Sequence, residues 1–197
     1  MLRFALAAAA GCQMQDLRFA RDQNGRPLLR DYAGVQFNLS HSGGLAACIV
    51  TKDTPCGIDI EHIRPDKQIT DIARRHFSPA EQRYLAQINS DETRQQAFYR
   101  LWTLKEAFLK ALGTGLRTPL DAIDFGDLDA ATAPRHLGVP LRDWRFEEYV
   151  IDTGHALSIT IEQPAPHSLE WNELMLPAQA ADEQSCRMRS KYLASLS

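Results

Sequence analysis

The chain contains no apolar run approaching the ~18 residues that a membrane-crossing helix needs, so nothing in it reads as a membrane span. It has no surplus of positive charge. Its 22 Lys and Arg stand against 25 Asp and Glu for a formal charge of -3, and its pI is near 6.1. That balance argues against a general nucleic-acid binder. Cysteine is scarce: Cys12, Cys48, Cys56 and Cys186 form no C-x-x-C pair, so neither a zinc site nor a redox dithiol is signalled. Cys48, inside the apolar run LAACIV, reads as a small core residue, and the cysteine usage suits a reducing compartment. His62, His76, His136, His155 and His167 show no metal-ligand spacing. Internal repeats and long low-complexity tracts are also missing.

What is present is the composition of an ordinary globular protein, 44% hydrophobic and 24% charged over 197 residues. A chain of this length buries one sizeable core or two small ones packed together. The opening MLRFALAAAAGC loosely imitates a lipoprotein signal. Its apolar run is at the short limit for one, and it reads instead as an Ala-rich helix capped at Gly11.

After that helix, Asp22-Gln-Asn-Gly25 marks a turn. VQFNLS at 35–40, LAACIVT at 45–51 and CGIDIEHI at 56–63 read as a three-strand meander, with Gly43-Gly44 in the first hairpin. Ser78-Pro79-Ala80-Glu81 fits a capping box. A longer helix is predicted over 91–112, stopped by Gly113 and Gly115. A turn-rich region to Pro140 holds a short strand near 122–125. WRFEEYV at 144–150 and HALSITIE at 155–162 read as two more strands, and a polar, loosely held tail follows from about 177. Strands, then helices, then strands indicate an α+β fold with largely antiparallel pairing.

Asp59 and Glu61 flank Ile60, so in a strand both carboxylates face one side while Ile58 and Ile60 face the other. At ~5 Å and an effective dielectric of ~20 two such charges repel by roughly 3 kcal/mol. A solvated strand face relieves that repulsion, and so does a bound cation. On the long helix, Phe98, Leu101, Trp102, Leu104, Phe108, Leu109 and Leu112 form a broad apolar arc, with Lys105 inside it and Glu106 and Lys110 on its flank. A buried ammonium requires an anionic partner, loss of its charge, or a path outward for its tip. Three carboxylates with lysines nearby suit a hard cation such as Mg²⁺, which takes oxygen ligands and substrate phosphates. Ser40 and His41 are adjacent on a strand and face opposite ways, so they do not pair readily as nucleophile and base.

FNLSHSGG at 37–44, GIDIE at 57–61 and FYRLWTLKEAFLKALGTGL at 98–116, preceded by NGRP at 24–27, resemble the successive motifs of the surfactin-synthetase-activating type of 4'-phosphopantetheinyl transferase. The resemblance runs from about residue 3 to about 162. It implies two similar α+β halves related by a pseudo-two-fold axis, with coenzyme A held between them. It further implies Asp59, Glu61 and Glu106 as Mg²⁺ ligands, and Glu106 as the group that activates the carrier serine, directly or through a metal-bound water. Lys110 would assist the leaving group, and Lys105 would sit near phosphate or a carboxylate in a catalytic role. Arg26, Ser40 and His41 would hold coenzyme A together with Lys110, and 69–77, with Arg74, Arg75 and His76, would help recognise an acidic apo carrier protein.

GIDIE arrives earlier than in the full-length pattern, so either the true start lies upstream or the first half, over 1–56, is a shortened form. A second half over 57–176 carries GIDIE and WTLKEA, and the polar tail spans 177–197. The expected protein is a cytoplasmic monomer that engages neither nucleic acid nor membrane. Two other readings remain at this stage, an inactive homologue that only binds carriers and a metal-dependent nuclease.

Overall fold

A computed structural model describes residues 1–65, 68–130, 133–151 and 154–162 and the backbone of 188–191; of Leu116 only the backbone is described. The fold is α+β, as expected. Helix α1 (Leu2–Ala10) ends at Gly11, whose left-handed conformation returns its N–H to the Ala7 and Ala8 carbonyls. The short strands β1 (Phe19–Arg21) and β2 (Pro27–Leu29) pair with each other. Then β3 (Val35–Ser42) and β4 (Leu45–Lys52) form an antiparallel hairpin across Gly43-Gly44. Strand β5 (Cys56–His62) carries the two acids.

Three helices follow, α2 (Ile69–His76), α3 (Pro79–Gln87) and α4 (Asp91–Leu112). The capping box at the start of α3 is complete, with Ser78 and Glu81 exchanging side-chain-to-backbone bonds. Ser90 caps α4, and Gly113 ends it with a positive φ. The short β6 (Ile123–Asp124), β7 (Arg135–His136) and β8 (Val139–Pro140) make a small sheet. Beyond them β9 (Trp144–Ile151) and β10 (His155–Glu162) form a long hairpin. Of the expected loose tail, only 188–191 lies within the described residues, and there it is strand β11 (Met188–Lys191), paired with β9.

The expected meander breaks at its third strand. β5 does not continue the β3–β4 sheet; it joins β10, in the order β11-β9-β10-β5. The reason lies in alternate side chains of β3. The β5 edge facing β3 offers the N–H groups of Ile58, Ile60 and His62. Asn38 Oδ1, Ser40 Oγ and Ser42 Oγ accept them at 3.2, 3.3 and 3.1 Å. Side chains thus do there what a neighbouring backbone does in a regular ladder, and the buried donors are satisfied.

Ile58 and Ile60 point into an apolar layer with Ile49, Tyr149, Leu157, Ile159 and Ile161. The other face of β5 receives α4. Thr103, Ala107 and Ala111 recur every four residues and so line one side of that helix. Thr103 Oγ1 bonds Ser158 Oγ of β10 at 2.7 Å. Ala107 and Ala111 meet Gly57 so closely that a Cβ there would overlap the Ala107 carbonyl oxygen and lie 2.7 Å from the Ala111 nitrogen. The apolar arc of α4 packs on the opposite side, where Leu101, Leu104 and Phe108 are fully buried with Phe77, Ile123 and Phe146. Buried on both sides, α4 cannot turn about its axis without losing one contact or the other.

Gly57→Ala is therefore expected to destabilise the fold by about 3 kcal/mol or more, because the obstacle is backbone and cannot rotate away. Urea unfolding measures it, and an unchanged free energy of unfolding would contradict the close approach.

Candidate active site

The contact between β5 and α4 brings Asp59, Glu61, Glu106 and Lys110 together. Asp59 is only 4% exposed. Its Oδ1 accepts from Lys110 Nζ at 2.6 Å and from Ser40 Oγ at 2.8 Å, while Lys110 Nζ also reaches the Ile58 carbonyl at 3.2 Å. Its other oxygen, Oδ2, is buried without a hydrogen-bond partner. Glu61 Oε2 accepts from Ser42 Oγ at 2.7 Å. Glu106 projects from the adjoining turn of α4, half-buried.

Electrostatics link the three acids. Burial pushes the Glu106 carboxyl above its ordinary range, and the Asp59 and Glu61 charges push it further against the pull of Lys110. Asp59 is also raised, by burial first and by Glu61, although Lys110 and the Ser40 hydroxyl oppose the shift. Among the described residues no three His, Cys, Asp or Glu side chains form a ready-made metal cluster. What the pocket does present is a buried carboxylate oxygen with nothing bonded to it, beside two further acids. That donor set suits a hard cation, which would relieve both defects at once.

Lys105 lies elsewhere. Its side chain is fully buried and paired with Glu81 of α3 at 2.7 Å, with both groups at 0% exposure. Its ammonium also donates to the Leu120 carbonyl at 2.9 Å and to the Ile123 carbonyl, and it sits over the Phe77 ring. Burial lowers the Lys105 value and raises that of Glu81, and each opposes the other's shift. The capping-box glutamate accepts in addition from the Ser78 and Phe125 N–H groups. Lys105 thus has the anionic partner its sequence position demands, but that partner is a structural carboxylate. It is not beside Asp59, Glu61 and Glu106, as a catalytic role would require.

Ser40, expected at coenzyme A, has its hydroxyl committed to Asp59 and the Ile60 N–H. His41, its neighbour, is exposed on the other face of β3. Arg26 bridges three elements by donating to the carbonyls of Phe37, Cys56 and Ala111 at 3.4, 3.4 and 3.3 Å. Asn24 reinforces this by donating to the Gly113 carbonyl at 2.9 Å. Among the described residues Arg26 makes no ion pair, so its charge is met only by carbonyl dipoles. Sequence reasoning missed Asn38 and Ser42, although their alternation with Ser40 in N-L-S-H-S is the visible signal.

The motifs, the α+β fold and this arrangement define a member of one transferase superfamily. Residues 55–160 match the profile of the 4'-phosphopantetheinyl transferase superfamily. The chain is 38% identical over 168 residues to a 4'-phosphopantetheinyl transferase of Bacillus subtilis, covering 83% of this chain and 71% of that protein. It is 30% identical over 164 residues to 4'-phosphopantetheinyl transferase Sfp of Bacillus subtilis strain 168, with the same coverage of 83% and 71%. Against 4'-phosphopantetheinyl transferase HetI of Nostoc sp. it is 40% identical over 119 residues, covering 59% of this chain and 50% of that protein. It therefore spans half of the Nostoc protein's length and more of the two Bacillus proteins. This chain belongs to the 4'-phosphopantetheinyl transferase superfamily.

Two measurements test the geometry. Lys105→Met strands the Glu81 carboxylate in the core and is expected to cost roughly 3–5 kcal/mol of unfolding free energy; a loss under about 1 kcal/mol would refute a structural pair. A carboxyl raised on folding holds its proton more tightly in the folded state, so folded stability falls as pH rises through the raised value. Glu106→Gln, read in chelator by urea midpoint, should therefore gain on wild type as pH climbs from about 4.5, the ordinary value. A difference that stays flat with pH would contradict the raised value.

Proposed function

We propose that this protein transfers the 4'-phosphopantetheine group of coenzyme A to a serine hydroxyl of an apo acyl or peptidyl carrier protein, releasing 3',5'-adenosine bisphosphate. The observation that carries this reading is the group of Asp59, Glu61 and Glu106, drawn from β5 and α4, with Lys110 between them. Superfamily membership supplies the reaction class.

In the proposed reaction the serine oxygen attacks the β-phosphorus, and the bond from that phosphorus to the bridging diphosphate oxygen breaks. The serine proton passes to Glu106, directly or through a water. Lys110 is assigned to oppose the charge of the leaving bisphosphate. Asp59, Glu61 and Glu106 are the residues that would hold Mg²⁺. When bound, the ion would neutralise diphosphate charge. Arg26, with no acidic partner of its own among the described residues, is assigned to a coenzyme A phosphate, and exposed His41 to the same ligand. Positioning and charge compensation supply most of the rate in such a transfer.

Residues 1–56 form the coenzyme A side of this reading and 57–176 the catalytic side. Exposed Arg74 and Arg75, in the last turn of α2, are assigned to the acidic carrier. We place the enzyme in the cytoplasm as a monomer. Cys12, Cys48 and Cys56 are free thiols, as a reducing compartment requires. No described helix is long and apolar enough to cross a membrane.

Mass spectrometry of an apo carrier protein incubated with coenzyme A and Mg²⁺ is expected to show the phosphopantetheine adduct. Glu106→Gln and Asp59→Asn should each lower the rate by at least about 10³-fold while remaining folded by circular dichroism. Wild-type rates in either variant would remove the site assignment. A wild-type protein that binds the carrier without modifying it would remove the activity.

A further inference from the structure

The three β3 side chains that cover the β5 edge are not equivalent. Asn38 only accepts, from the Ile58 N–H at 3.2 Å. Ser40 and Ser42 accept from Ile60 and His62 and also donate onward, Ser40 to Asp59 Oδ1 at 2.8 Å and Ser42 to Glu61 Oε2 at 2.7 Å. A hydroxyl has one proton. With a backbone N–H directed at its oxygen, each serine has that proton free to point at the carboxylate. Each acid is then gripped by a serine that is itself anchored to the same strand, one residue further along.

We propose that Ser42, together with Ser40, is a positioning residue for the β5 acids. Each serine fixes the rotamer of its carboxylate by occupying one chosen oxygen and leaving the other for a divalent cation. This rests on reading Asp59, Glu61 and Glu106 as cation ligands. Asp59 shows the result directly: Oδ1 is occupied by Ser40 and Lys110, and Oδ2 is buried and unbonded. Without the serines, each acid exchanges one preset orientation for several, and a cation must select among them at a cost in affinity. Hydrogen-bond partners of metal-ligating carboxylates commonly affect affinity by 10–100-fold. Ser42 carries the cleaner test, because the resemblance places Ser40, and not Ser42, at coenzyme A.

The experiment is a Mn²⁺ titration followed by electron paramagnetic resonance, at saturating coenzyme A and without carrier, paired with thermal unfolding. Ser42→Ala is expected to weaken Mn²⁺ binding about tenfold, and Ser42→Thr, which keeps the hydroxyl, to restore most of it. Ser42→Val, better suited to a strand, provides a second hydroxyl-free variant with the same expected loss. Asn38→Ala removes an acceptor of the same edge, and among the described residues Asn38 hydrogen-bonds neither acid. It should lower the melting temperature as Ser42→Ala does, yet leave Mn²⁺ affinity unchanged.

Unaltered Mn²⁺ binding in both hydroxyl-free variants, alongside its loss in Glu61→Ala, would overturn the positioning role and leave the cation site intact. Equal weakening by Asn38→Ala would reduce the serines to strand-edge support, which also overturns the proposal. Failure of the wild type to take up Mn²⁺ would remove the cation site and the proposal with it, and that result is visible before any substitution is made.

Discussion

Backbone-to-backbone contact between α4 and β5 at Gly57 is the constraint on which the site depends. With no side chain at that position, the Ala107–Ala111 turn settles directly on the strand, and Asp59 and Glu61, two and four residues on, face the same helix. Two lysines then hold α4 from different sides. Lys105 binds Glu81 in the helical layer, and Lys110 binds Asp59 on the sheet. Five residues separate them, so their side chains leave the helix about 140° apart at 100° per residue. A rotation that relieved one ion pair would break the other. Glu106 lies between these anchors and inherits their fixity.

That fixity has an electrostatic cost. Three acids share a partly buried space with one nearby lysine, and burial raises both Asp59 and Glu106. A core selected only for stability would place apolar groups of similar volume there, since buried charge seldom repays its desolvation. The fully buried Lys105–Glu81 pair has a different standing. Carbonyls and N–H groups of surrounding segments satisfy it on every side, so its charges meet complete partners. The contrast separates the two lysines of one helix, one closed within its network and the other beside an acid with an unsatisfied oxygen.

Local signals in the sequence reached far. Gly113 stopped α4 where expected, the Ser78–Glu81 capping box formed as written, and the alternation in GIDIE put both acids on one face. What they could not carry was pairing across distance. Turn residues between β4 and β5 announce a reversal, but which edge β5 then joins depends on Asn38, Ser40 and Ser42 filling the position a neighbouring backbone would take. Nor did periodicity reveal the partner of Lys105, since Glu81 reads locally as a capping residue and nothing more. The apolar arc of α4 also drew attention from Thr103, Ala107 and Ala111, whose smallness is their function.

Side chains, not a continuous backbone ladder, join β3 to β5, and this makes the seam between the two parts of the chain chemically specific. A ladder of backbone bonds would tolerate almost any side chain along it. Here the seam requires an acceptor at 38, 40 and 42, and Arg26 crosses the same junction to the carbonyls of β3, β5 and α4. A displacement of β3 would therefore pull on the hydroxyls gripping Asp59 and Glu61 and on the Arg26 guanidinium together. An anion drawing Arg26 off its carbonyls would act on the elements that orient the acids, so occupancy on one side of the seam and carboxylate geometry on the other share one set of bonds. Linkage makes that influence mutual and of one sign: an anion that loosens Arg26 from the seam would unsettle the acids, and acids held by an intact seam would resist that anion equally.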